Sequence, residues 1–153
     1  MGNASAEDLA QYGAYYLGDT SQKVLYLTFD CGYENGCTEA ILDALKKHNA
    51  PAAFFVVGHM IESAPDIVRR MAAEGHIVGN HTYHHPDMSS ISDMAGIPEG
   101  ADGPGDPVPG DHRTASLQVL PPASGKYSVE NLKQAQQLGY TTVFWSLAYV
   151  DWN

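Results

Sequence analysis

His81 and His85 stand four residues apart. In a turn or short helix that spacing lets two imidazoles face one point, and two neutral imidazoles are a natural base for Zn²⁺ or a similar divalent metal. The same pair also reads as two surface histidines beside a turn, and spacing alone does not separate the two readings. His84 lies between them and points elsewhere. His48, His59, His76 and His112 are isolated and receive no role. Asp30 ends an apolar run and offers a carboxylate at a strand terminus. There it either caps the following turn or takes a proton from a water activated by a metal. Cys31 adjoins it, as a small semi-buried thiol or as a thiolate for zinc.

The elements that must carry these groups follow from patterning. Val24 to Phe29 is rich in β-branched, aromatic and aliphatic residues and reads as a buried strand running into a loop at Asp30-Cys31-Gly32. Thr38 to His48 has apolar residues at Ile41, Leu42 and Leu45, a helical spacing. Pro51 resets the chain, and Ala52 to Val57 is a second buried strand. Ser63-Ala64-Pro65-Asp66 opens a helix, with Ser63 as its cap and Asp66 completing a reciprocal capping pattern. Ile67, Val68 and Met71 face the core, and Gly75 ends it. His76 to Gly79 is a short strand leading into the histidines. Ser128 caps a helix through Leu138, stopped by Gly139, and Thr141 to Trp145 is a further strand. The first twenty residues are polar, with a tyrosine cluster at Tyr12, Tyr15 and Tyr16.

Strand, helix, strand, helix, strand is the signature of an α/β protein with a parallel sheet or barrel. In such folds chemistry sits at the C-terminal ends of the strands. Asp30 and His81 both fall there, on different strands. A chain of 153 residues, 44% hydrophobic, suits one domain with a real core. A net charge of −10 repels phosphate backbones and anionic lipid headgroups, which argues against nucleic-acid or membrane-surface partners. The longest apolar run falls far short of the roughly 20 residues of a membrane helix. No basic start followed by an apolar stretch marks a secretion signal. Two cysteines are too few for a disulfide scaffold.

Thr28-Phe29-Asp30-Cys31-Gly32-Tyr33-Glu34-Asn35-Gly36 resembles the first motif of the polysaccharide deacetylases (carbohydrate esterase family 4, the NodB-homology domain). His81-Thr82-Tyr83-His84-His85-Pro86 resembles their second. The Tyr-Glu-Asn-Gly version, with Trp145-Ser146-Leu147 and Asp151-Trp152, is similar to the delta-lactam-biosynthetic, N-acetylmuramic acid deacetylase branch of spore-forming bacteria. The resemblance covers residues 15–94 and 124–153. It implies a distorted (β/α) barrel, in a single domain over 1–153, truncated at its C-terminal end. It implies metal-dependent hydrolysis of N-acetyl groups on peptidoglycan or a related glycan, outside the cell or at the wall. Asp30 falls on the family's catalytic base, and His81 and His85 on its metal-binding histidines, with zinc the expected ion. A second Asp usually completes the metal triad; here that position is Cys31, an uncertain ligand. The oxyanion would be held by the metal and a backbone N–H near Tyr127.

The third motif of the family, Arg-Pro-Pro-x-Gly, is interrupted. Counting back from Gly125, its Arg falls on Pro121, and the His of the final motif has no counterpart. Gly96 to Gly110 holds five Gly and four Pro in fifteen residues, which forbids the helix that βα alternation requires. A long surface loop is one reading. A compensated frameshift is another: read one base later from Ala95, degenerate codons permit FRKELTDLETLYREITG, an amphipathic helix pattern. They also permit FYRP across Val119 to Pro122, and restoring one base near Ala123 gives FYRPPSGKYS, the family's third motif. On that reading residues 95–123 are aberrant and poorly packed, and this chain has weak or no activity. The rival reading is a non-catalytic glycan- or metal-binding module with a degenerate deacetylase site. A defective gene product and a zinc hydrolase of another substrate class also stand.

Overall fold

The computed structural model describes residues 4–82 and 126–148, and the backbone alone of 119–120. The expectations for His84, His85, His112 and the segment 95–123 therefore lie outside the described residues, except that Val119–Leu120 forms a strand.

In chain order the elements are α1 (Ala6–Ala10), β1 (Ala14–Tyr15), β2 (Thr28–Cys31), α2 (Thr38–Lys47), β3 (Ala53–Val56), α3 (Gly58–Ser63), α4 (Pro65–Ala73), β4 (Ile77–Asn80), β5 (Val119–Leu120), α5 (Val129–Gln137) and β6 (Thr141–Val143). All described pairings are parallel. One sheet runs β2-β3-β4 and the other β1-β6-β5, with β4 and β5 in contact where the sheets meet. This is the parallel α/β architecture expected of a (β/α) barrel wall. No helix among the described residues is long and apolar enough to cross a membrane.

The pleat sorts the residues of β2-β3-β4 onto two faces. Phe29 and Cys31, Phe54 and Val56, and Val78 pack with Leu42 and Leu45 of α2, Met60 of α3, and Val68 and Met71 of α4. Asp30 and Phe55 are in register with Gly79, so they share the opposite, inner face. A second cluster joins Leu9 and Ala14 to Leu132, with Tyr127 and Phe144 against it.

Several local expectations need correction. Val24 to Leu27 is not a buried strand: Leu25 is 88% exposed, and the ladder begins only where the Ala53 amide donates to the Leu27 carbonyl at 3.0 Å. The next bond upstream on that edge would come from residue 51, a proline with no N–H to give. Asp30 and Cys31 accordingly stand within the strand, not in a loop. Ser63 does not cap α4. Its hydroxyl donates to the His59 carbonyl at 2.7 Å, closing α3, and α4 starts from Ala64 with Pro65 in its first turn. Asp66 pairs with Arg69 at 2.6 Å. The polar N-terminus also holds elements. Ser5 and Asp8 form the reciprocal capping box that starts α1, a pattern present in the sequence and passed over.

His76 is a core residue. Its ring is 4% exposed, lies edge-on to Phe54 with centroids 5.3 Å apart, and accepts the Ala52 N–H on Nδ1 at 3.2 Å.

Candidate active site

The parallel ladder positions the site. The Val57 amide donates to the Cys31 carbonyl at 3.2 Å and the His81 amide to the Val56 carbonyl at 3.0 Å, so both outer strands are held to β3 up to their C-terminal ends. Asp30 and His81 rise there from β2 and from the residue after β4. His81 Nε2 lies 4.0 Å from Asp30 Oδ2. The imidazole is buried, 4% exposed, while the carboxylate is 51% exposed. A half-solvated carboxylate beside a buried imidazole, beyond direct hydrogen-bond distance, can serve one small reactant from two sides.

The chain turns sharply after His81. Thr82 is buried and left-handed, with φ 67°. That conformation costs a β-branched residue about 1–2 kcal/mol. Its amide donates to Asn80 Oδ1 at 2.7 Å. Neither Asn80 nor Thr82 was singled out by sequence reasoning, since a left-handed threonine leaves no mark in composition or periodicity.

Cys31, expected as an uncertain third ligand, is placed elsewhere. Being adjacent to Asp30 in a strand, it points to the opposite face and packs into the core beneath the helices. Its Sγ faces the Phe29 carbonyl at 3.9 Å. Burial, aided by the negative charges of Asp30 and Glu34, pushes the thiol up to about 12, so it keeps its proton at neutral pH. The structure does not bring it to the Asp30–His81 pair. Tyr127 lies on the loop before α5, its ring edge-on to Phe144 at 5.1 Å within the second cluster.

Glu34 has a role that sequence reasoning missed. Cys37 precedes α2 and supplies no side-chain cap. Glu34 reaches back over Gly36, itself left-handed at φ 92°, and accepts the Gly36 amide. The Thr38 hydroxyl, with the amides of Gly36, Thr38 and Cys37, holds its carboxyl below the usual carboxylate value. The loop that follows Asp30 is thus tied to the start of α2.

Among the described residues no three His, Cys, Asp or Glu side chains gather into a metal cluster. The donors present, a buried imidazole and a carboxylate, are of the kind a catalytic zinc takes, and the expected second imidazole, His85, lies outside the described residues. The donor chemistry therefore fits a divalent ion in part.

Parallel strands with a carboxylate and an imidazole meeting at their C-terminal ends define the class as a parallel α/β protein with an acid–imidazole pair at its strand ends. Comparison with known proteins gives the family. The polysaccharide deacetylase family profile matches residues 17–104. The chain is 44% identical over 149 residues to the peptidoglycan-N-acetylmuramic acid deacetylase PdaA of Bacillus subtilis, covering 95% of this chain and 55% of that protein. The solved structure of Bacillus subtilis PdaA, a family 4 carbohydrate esterase, superposes with a TM-score of 0.81 at 41% identity, over 95% of this chain and 62% of that one. A family 4 carbohydrate esterase from Bacillus anthracis gives a TM-score of 0.80 at 39% identity, over 100% of this chain and 75% of that one. A family 4 pseudoenzyme from the same species shares the fold, with a TM-score of 0.70 at 24% identity, over 87% of this chain and 47% of that one. The chain belongs to the polysaccharide deacetylase family. It spans about half the length of the curated relatives it matches, 55% in the case of PdaA.

Proposed function

We propose that this chain is a carbohydrate deacetylase domain, spanning 1–153, that hydrolyses N-acetyl groups of peptidoglycan at its N-acetylmuramic acid residues, at the cell wall or outside the cell. The observation that carries the reading is the approach of Asp30 and His81 to 4.0 Å on the inner face of the sheet. It is supported by the similarity to a muramic acid deacetylase.

In this reading Asp30 is the general base. Its exposed carboxylate accepts the proton of the water that attacks the acetamide carbonyl, and β2 holds it in place through the ladder to β3. His81, with His85, would hold a divalent cation, zinc by preference. Such an ion supplies Lewis acidity toward water and the acyl oxygen. Phe55, 2% exposed, lies on the same face, on the strand between them. The backbone near Tyr127 would donate to the developing oxyanion. Cys31, on the helix side, contributes packing.

Activity is proposed to be weak, because Pro121 stands where the family's third motif has the Arg that orients the base. The same substitution favours the rival reading of a glycan-binding module. The test is acetate release from muramic acid-containing peptidoglycan fragments with added zinc. It compares this chain, Asp30→Asn, and a version whose residues 95–123 are replaced by the alternative-frame helix and Arg-Pro-Pro segment. Slow release, abolished by Asp30→Asn and raised by the replacement, is expected. Glycan binding without release by the replaced version would favour the binding module.

A further inference from the structure

We infer that Asn80 is a positioning residue, whose carboxamide accepts the Thr82 amide, closes a turn over His81 and thereby fixes the His81 backbone against Asp30; this rests on the deacetylase reading above. His81 is the last residue of β4's run to be tied to β3, through its amide on the Val56 carbonyl at 3.0 Å. Beyond it the chain must leave the sheet. It does so through a threonine that is 1% exposed and sits at φ 67°. A β-branched residue does not choose that basin on its own. The bond from the Thr82 amide to Asn80 Oδ1, at 2.7 Å, closes a ring through His81 and restrains the His81 backbone that leads into this residue.

The consequence falls on His81. With the Thr82 amide tied to Asn80 Oδ1, φ and ψ of His81 are held, and its imidazole stays 4.0 Å from Asp30 Oδ2. Asn80 acts through the backbone of His81. Asn and Asp can both present the required oxygen, whereas Ala cannot.

Two readouts test this. One is the affinity for zinc ion alone, by competition with a chromophoric chelator. The other is the position of the His81 ring resonances in the metal-free protein. Asn80→Ala should weaken zinc about tenfold or more, the range for residues that orient a ligand, and should move the His81 ring signals. Asn80→Asp should hold zinc within about threefold, with the ring signals in place, since the acceptor is kept.

Wild-type zinc affinity and unmoved His81 signals in Asn80→Ala would overturn the proposal. So would an equal loss of thermal stability in the Ala and Asp variants with His81 unmoved. If the unmodified chain takes no zinc, the metal reading falls, and the metal-free His81 signals alone decide the role of Asn80. If Asn80→Ala fails to fold, Asn80→Asp decides: His81 signals in place support the proposal, and displaced signals overturn it.

Discussion

Glu34→Ala separates the cap on α2 from everything else near Asp30. Cys37 provides no side-chain cap; the Glu34 carboxylate accepts the Gly36 amide just before the helix and is drawn down by the Thr38 hydroxyl and the nearby amides. Removing an N-terminal cap costs about 0.5–2 kcal/mol, and a carboxylate facing a helix N-terminus adds about 0.3–1 kcal/mol. The expected loss at pH 7 is therefore about 1–2 kcal/mol, read as a shift in the urea midpoint with an unchanged slope. Glu34→Gln, which keeps a neutral acceptor, should fall between. The sign of the pH dependence follows from the depressed carboxyl. Its folded value lies below the ordinary glutamate value of 4.5, so its stabilisation is fully present above about 4.5 and disappears as pH falls through the folded value. The gap between wild type and Glu34→Ala should accordingly narrow as pH falls below that value. A gap absent at pH 7, or equal at pH 7 and pH 3, would refute the capping argument.

Three further outcomes are expected. His76→Phe keeps an aromatic ring against Phe54 but leaves the Ala52 amide, now bonded at 3.2 Å, without its acceptor; urea unfolding should show a loss of about 1–3 kcal/mol, and His76→Ala should lose more. Iodoacetamide at pH 7.5, followed by peptide mass mapping, should label exposed Cys37 at least about tenfold faster than Cys31, whose thiol is pushed up to about 12; equal rates would contradict the burial of Cys31. Leu25→Lys should change stability by no more than about 0.5 kcal/mol, because Leu25 is 88% exposed, whereas a buried strand would lose several-fold more.

The helices were the most legible part of the sequence because their signals are local. Ser128 and Gly139 bracket α5, and Pro65 and Gly75 bracket α4, each by backbone requirements that hold whatever the neighbours do. The run before Asp30 was misread for the opposite reason. Apolar composition says that Val24 to Leu27 favours a strand, but whether it is one depends on a partner twenty-five residues away, and Pro51 withholds the needed donor. The pairing of Asp30 with His81 was legible through topology, since parallel strands gather their C-terminal ends on one side. Glu34, Asn80 and Thr82 were not, because each acts through a backbone conformation that no periodicity encodes.

The pleat also accounts for where the side chain after Asp30 goes. Asp30 and Cys31 are consecutive strand residues in register with Phe55 and Val56, so one side chain faces inward and the next faces the helices. A residue at position 31 therefore answers to packing against Phe54, Leu42 and their neighbours, where an unpaired carboxylate would be costly and a small thiol fits. The partner for Asp30 comes instead from the far side of β3. Strands two apart stand about 9–10 Å from each other, a span that a short carboxylate closes only against a long side chain leaning inward. His81 has that reach, and its 4.0 Å approach depends on where the chain stops following β3. The geometry of the proposed site is thus set less by the identity of the residue beside Asp30 than by the backbone turn over His81, two strand spacings across the sheet.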